Sequence, residues 1–239
     1  MLILSYYDFM LNFKRILTVF AHPDDETLAA GATISNLSRN GSRIFVAIPA
    51  TGILSRKDTK KNKIKKLLSD HKSDTIEALS IIGVKKLDIS FGDFADNELD
   101  KYSLLNLVHW IERIIEKTKP NAIFTHHRNC TNIDHQYCHE AVVVATRPNI
   151  NSHISVFCGE VPSSTGYLKP AHWEPNLYVN VSKIDLNAKI KAMQKFKQER
   201  REDPHPRSPE VLKALAKVRG SEAGYNFAES FMIHKTFNY

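Results

Sequence analysis

Four of the five residues in His22-Pro23-Asp24-Asp25-Glu26 carry ionisable side chains, and they directly follow an apolar run over residues 15–21. So many polar groups at the end of a buried strand are costly unless they bind something. Imidazole and carboxylate together form a zinc-type donor set. His22 and Asp25, three apart at a turn, are spaced to converge on one ion. Asp24 is then a free carboxylate beside it, placed for general-base work on a water. Capping is the competing reading: Asp24 or Asp25 caps the next helix and Glu26 favours its dipole. Capping accounts for one or two acids, but not for His22 or for the density. The segment lacks the GxGxxG turn of a dinucleotide site, which disfavours NAD or FAD.

A second cluster runs from His126 to His135 (HHRNCTNIDH). It begins where another strand should end. A third ligand from here completes a catalytic set with an open position for water, and His135, at a helix start, is the natural candidate. Asp134 suits the role of orienting another polar group by a hydrogen bond. His126 and His127 alternate along the strand, so only one of them faces the site easily. A rival set, His127, Cys130, His135, Cys138 and His139, offers a structural Cys/His zinc site, with His135, Cys138 and His139 on one helix face. Its spacing is not that of a zinc finger, and it leaves the first cluster unexplained.

Both clusters need a scaffold that brings two strand ends together. Strands are expected over 15–21, 42–49, 86–90, 121–126, 154–158 and 177–181. Helices are expected over 26–39, 62–82, 104–117, 134–146, 184–201, 210–218 and 223–227, with a last apolar stretch at 230–236. Residues 50–61 read as a polar loop. Strand–helix–strand within about 35 residues marks a βαβ unit. The repeated alternation predicts an α/β, Rossmann-like fold: a mostly parallel sheet with helices on both faces, whose ligands bind at the carboxyl ends of the strands. We expect a single domain over 14–239, with 1–13 as an N-terminal extension and the part after about 160 as a flank or cap.

Composition sets the outer limits. The chain has 239 residues, 42% apolar and 25% charged, an ordinary globular balance. Its three cysteines are odd in number and not paired as CxxC, which points to a reducing, cytoplasmic setting. No apolar run reaches the roughly 18–20 residues that span a bilayer. The start, MLILSYYDFM, carries Asp8 and no basic n-region, and reads poorly as a signal peptide. The net charge of +7 is mostly local: residues 56–72 hold eight Lys/Arg against two Asp. A charge run of this kind is usually a solvated face. A nucleic-acid or membrane-surface binder built on this segment is a lesser alternative, and no nucleic-acid partner is expected.

Ala21-His22-Pro23-Asp24-Asp25-Glu26 followed by Asn132-Ile133-Asp134-His135 resembles the PIG-L/LmbE family of zinc-dependent N-acetylglucosaminyl deacetylases. Glu160-Val161-Pro162-Ser163-Ser164, His205-Pro206-Arg207-Ser208, Arg219-Gly220 and Ala228-Glu229-Ser230-Phe231 look like its bacterial members. The resemblance implies Zn²⁺ held by His22, Asp25 and His135, with Asp24 as general base. It implies hydrolytic removal of acetyl from an N-acetylated amino sugar or its conjugate. A non-catalytic sugar binder of the same fold is the nearer alternative. Three positions depart from the family pattern. Asn132 stands where many members have a histidine, so oxyanion stabilisation falls to His127 or to the Asn132 amide. His71 stands where an arginine is frequent, and Cys130 replaces an acid. We count Asp24, Asp134, His127 and Asn132 as catalytic candidates, and Arg56, His71 and His126 as substrate-side candidates. The start of the basic segment shares a sheet edge with His22, so Arg56 or Lys57 is placed to meet an anionic aglycone. Homo-oligomers are compatible with the resemblance.

Overall fold

The computed structural model describes residues 13–50, 61–148, 153–168 and 173–237, the stretch 61–65 as backbone only. Seven strands alternate with helices: β1 (Arg15–Val19), α1 (Asp25–Arg39), β2 (Arg43–Ala50), α2 (Lys61–Ile81), β3 (Ile89–Phe94), α3 (Leu104–Thr118), β4 (Ala122–His126), α4 (Ile133–Ala145), β5 (Ser155–Gly159), β6 (Leu177–Asn180), α5 (Lys183–Met193), α6 (Pro209–Glu222) and β7 (Ala228–Lys235). They form one sheet in the order β3-β2-β1-β4-β5-β7-β6. The first five strands of that order are parallel, and β7 joins β5 and β6 antiparallel. This is the α/β, Rossmann-like sheet expected from the alternation.

Period-two alternation sends the two faces of each strand into two cores. Ile16 and Phe20 pack with α1, α2, α5 and α6, while Leu17, Val19 and Ala21 pack with α3 and α4. Every residue of β1 after Arg15 is buried, so its carboxyl end opens directly onto the next segment at His22. Phe13 is 1% exposed and belongs to the first core; residues 1–12 of the expected extension lie outside the described residues. Helix α1 is buried along most of its length between the sheet and α5. A Cβ at Gly31 would stand 3.0 Å from Lys189 Cγ, so the small residues Ala29-Ala30-Gly31-Ala32 allow that approach.

The structure corrects four boundaries. Residues 86–88 form a single 3₁₀ turn, and β3 runs on to Phe94. A Cβ at Gly92 would meet the Pro49 carbonyl at 2.5 Å, so the glycine in this longer strand serves close strand approach. The helix expected over 184–201 stops at Met193. Beyond it, Phe196 plugs the first core and the chain turns toward the sheet edge. The helix expected over 223–227 is a turn, closed by Tyr225 N–H to Gly220 O with Gly224 at φ +75°. The part after residue 160, expected as a flank or cap, supplies β6 and β7 to the same sheet and Phe196, Leu212 and Phe231 to the first core.

Candidate metal centre and catalytic pocket

A cavity of about 690 Å³ opens at the carboxyl edge of the sheet. It gathers residues from five places: the β1–α1 turn, the stretch after β3, the β4–α4 loop, the turn after β5, and the segment between α5 and α6.

The β1–α1 turn supplies the first donors. Asp24 sits at the N-cap position with φ 104°, outside the range most side chains adopt, and makes no side-chain capping bond. Capping therefore does not explain it. The unusual backbone instead accompanies a carboxylate that lines the cavity. Asp25 Oδ2 lies 3.1 Å from His22 Nδ1 and 3.1 Å from His135 Nε2. His135 comes from the first turn of α4, whose N-cap Asn132 accepts a bond from the Asp134 amide at 2.8 Å. The donor atoms of His22, Asp25 and His135 all lie within 4.8 Å of one another, and all three residues are buried.

Two further donor groups exist among the described residues: His22, Asp96 and Asp134, and His126, Cys130 and His135. Lone pairs decide between them. His22 Nε2 faces Asp134 Oδ2 at 2.9 Å and Asp96 Oδ1 at 3.2 Å. Those carboxylates hold a proton on Nε2 and leave Nδ1, on the Asp25 side, as the nitrogen that an ion would take. Asp134 is already occupied by the amides of Asn97, at 2.7 Å, and Leu99, at 3.0 Å. In the third group, His126 Nε2 accepts the Ala21 amide at 2.8 Å, so its lone pair is taken. Burial pushes the Cys130 thiol up to about 12. The first group is the one whose donor atoms, His22 Nδ1, Asp25 Oδ2 and His135 Nε2, face one another beside the cavity. Its donor set, two imidazoles and a carboxylate with space beside them, is that of a catalytic zinc site.

The charge of the pocket points the same way. Burial alone lowers His22, but hydrogen bonds to Asp134 and Asp25, and the charges of Asp25 and Asp96, raise it to about 10. Burial raises Asp25, and His135 and His22 outweigh that and hold it well below the usual carboxylate range. Such an excess of carboxylate favours a cation at its centre. Asp24 is pushed well above its ordinary value, chiefly by burial, with Asp25, Glu199 and Glu26 adding to the effect and Arg207 opposing it. Arg207 Nη1 donates to Asp24 Oδ2 at 2.8 Å and to Glu199 Oε2 at 2.7 Å. Its Nε reaches Ser163 Oγ at 3.3 Å.

Among the expected site residues, His22, Asp24, Asp25, Asn132 and His135 meet on the cavity wall, with Asp134 directly behind His22. Asn132 Oδ1 caps α4 and Nδ2 donates to Asn97 Oδ1 at 2.8 Å, which leaves one amide proton uncommitted. The structure does not bring the other candidates to the wall. His126 is wholly buried, stacked on His135 with centroids 3.8 Å apart. His127 Nδ1 accepts the Asn129 amide at 3.3 Å and its ring stands edge-on to Trp173. His71 is buried in α2, and Arg56 lies outside the described residues. The rival Cys/His set does not assemble, since Cys138 packs in the second core. Asp96, Glu199 and Arg207 are site residues that were not assigned from sequence. The His205-Pro206-Arg207-Ser208 segment was the one available signal for the last of them.

Residues 17–146 match the family model described as PIG-L, GlcNAc-PI de-N-acetylase. The chain belongs to the PIG-L family. It is 25% identical over 193 residues to YaiS, an uncharacterized deacetylase of Escherichia coli K12, covering 77% of this chain and 91% of that one. Among solved structures it is similar to the N,N′-diacetylchitobiose deacetylase of Pyrococcus horikoshii, with a TM-score of 0.75 and 21% identity over 93% of this chain and 84% of that one. It is also similar to the 4-carboxy-2-hydroxymuconate hydratase GalB of Pseudomonas putida KT2440, with a TM-score of 0.69 and 16% identity over 94% and 97% of the two chains. The shared fold thus supports hydrolysis in one neighbour and hydration in another, and the choice of chemistry rests on the site.

Proposed function

We propose that this PIG-L family chain is a zinc-dependent amidohydrolase that removes the acetyl group from an N-acetylated amino sugar or its conjugate. The observation that carries the reading is Asp25 Oδ2 at 3.1 Å from both His22 Nδ1 and His135 Nε2, with the Asp24 carboxylate on the same wall. Zinc would be held by His22, Asp25 and His135, and bound there it supplies Lewis acidity to an amide carbonyl and to a water. The neighbouring deacetylases, YaiS and the diacetylchitobiose enzyme, support the reaction class.

Asp24 accepts the proton of the attacking water and returns it to the departing amine, so amide and water become acetate and free amine. Burial makes Asp24 a stronger base than an exposed carboxylate. Arg207 fixes its orientation and balances its charge, and Glu199 holds Arg207 in turn. Positioned general-base catalysis contributes about 10²–10⁴-fold. The uncommitted Asn132 amide proton is the available donor for the developing oxyanion. The three described cysteines are all free and buried, in keeping with a cytoplasmic enzyme.

The test is acetate release from a panel of N-acetylglucosamine glycosides. Zinc-loaded protein should release acetate, and chelation or Asp24→Ala should stop it. A zinc-loaded protein that releases no acetate across the panel overturns the reading.

A further inference from the structure

A second cavity, of about 490 Å³, lies between the outer strand β3 and helix α3. It is separate from the catalytic pocket yet adjoins it in sequence. Phe94 lines this cavity and Asp96 lines the catalytic one, with only Ala95 between them. Tyr102, also on the second wall, accepts a hydrogen bond from the Ala95 amide at 3.3 Å. The two cavities therefore share the loop that carries Asp96 to His22.

The lining has two chemically distinct parts. One is aromatic: Phe94 meets Tyr102 edge-on with centroids 5.1 Å apart, and meets Trp110 edge-on at 6.1 Å. The other is polar. Asn106, His109 and Arg113 line the cavity together with Trp110 at spacings i, i+3, i+4 and i+7 of α3, one helix face. Asp93 joins them from β3. Among the described residues, none takes the side chains of Asp93, Asn106, His109 or Arg113 as a hydrogen-bond or ion-pair partner. The apolar face of α3 points the other way, burying Leu107, Val108, Ile111 and Ile114 in the second core.

We infer that this cavity binds a sugar ring, and that the substrate is an oligosaccharide whose neighbouring unit sits there. This rests on the deacetylase reading and narrows it from any amino-sugar conjugate to a chain of sugars. A pyranose offers an apolar face of C–H bonds and a rim of hydroxyls. Amphipathic aromatic rings suit the face. A carboxylate, an amide, an imidazole and a guanidinium, all open, suit the rim. The volume lies in the range of small-ligand pockets. A protein interface fits less well, because interface cores are depleted of charged groups.

The test uses N,N′-diacetylchitobiose and its trimer against the methyl glycoside of N-acetylglucosamine. With the turnover-blocked Asp24→Ala protein, carrying Trp173→Phe so that Trp110 is the sole tryptophan, the trimer should shift the fluorescence saturably and the monosaccharide should not. In the zinc-loaded wild type, KM should be at least tenfold lower for the trimer than for the methyl glycoside. Because Trp110 also packs on Phe94, the exposed pair Asn106→Ala and Arg113→Ala is tested beside Trp110→Ala. Either change should raise KM for the trimer toward the monosaccharide value. Equal KM values for trimer and monosaccharide, or trimer binding that leaves Trp110 fluorescence unmoved, overturn the inference. Acetate release from the methyl glycoside reports on the deacetylase reading separately, so the two fail distinguishably.

Discussion

The Nε2–H of His22 donates to Asp134 at 2.9 Å, and the amides of Asn97 and Leu99 pin that carboxylate in place. Asp134 is fully buried, so its position is set by these bonds rather than by solvent. The arrangement holds a proton on Nε2, so Nδ1, which faces Asp25 at 3.1 Å, is the nitrogen an ion would take in exchange for its proton.

Replacing Asp134 should therefore weaken metal binding without removing a ligand. Outer partners of this kind are worth about 10–100-fold in metal affinity. Asp134→Asn is expected to lower zinc affinity by that factor, measured by competition with a chromophoric chelator. Unchanged affinity would show that the tautomer is set elsewhere.

Asp24 combines the proposed role of general base with an unfavourable backbone. A non-glycine residue at φ 104° stores about 1–3 kcal/mol. Asp24→Gly and Asp24→Ala both remove the carboxylate and should both be inactive. Only glycine relieves the backbone, so Asp24→Gly should be the more stable by about 1 kcal/mol or more. In a chain of this size that is about 2–4 °C in Tm, readable by calorimetry. Equal melting temperatures would remove strain from the account of this turn.

Beneath the pocket, Lys189 Nζ donates to Leu28 O and to Glu229 Oε1, each at 2.6 Å, and Glu229 also accepts the amides of Ala32 and Thr33. The pair enters the backbone of α1 at its closest approach to α5. Both residues are about 95% buried. Removing one partner of a buried pair strands the other charge, at a cost of about 3–5 kcal/mol. Lys189→Met should lose that much in urea denaturation. Glu229→Gln added to it should recover part of the loss, and a purely additive double variant would contradict the coupling.

The two motifs were legible because each is contiguous and each follows an apolar strand. A parallel sheet can bring two such strand ends together, so His22, Asp25 and His135 could be put forward as one set from sequence, and β1 and β4 do pair side by side. Arg207 and Asp24 are 183 positions apart, and no local pattern links them. Glu199 was hidden inside an overextended helix, because Phe196 reads as a helical apolar position when it is in fact a plug after Met193. Alternation on β4 suggested that one of His126 and His127 faces the site. It failed because the Ala21 amide captures His126 from the adjacent strand while Trp173 flanks His127. Both are tertiary contacts with no trace in the local pattern.

His139 gives the fold a specific weakness to acid. Burial is the main reason its value falls from 6.5 to about 4, against the opposing hydrogen bond to His126 O. Its neutral form is thus favoured in the fold, whereas the unfolded chain protonates near 6.5. Above 6.5 neither state binds the proton and the site is neutral to stability. As pH falls from 6.5 toward 4, the unfolded state alone gains a proton and stability is lost. At about 1.4 kcal/mol per pH unit, the full loss is about 3 kcal/mol by pH 4. His139→Asn keeps a donor for His126 O but cannot titrate. Urea midpoints of the wild type and variant, measured from pH 7 to pH 4, should therefore converge or cross as pH falls. Parallel curves across that window would mean that His139 is not held neutral by the fold.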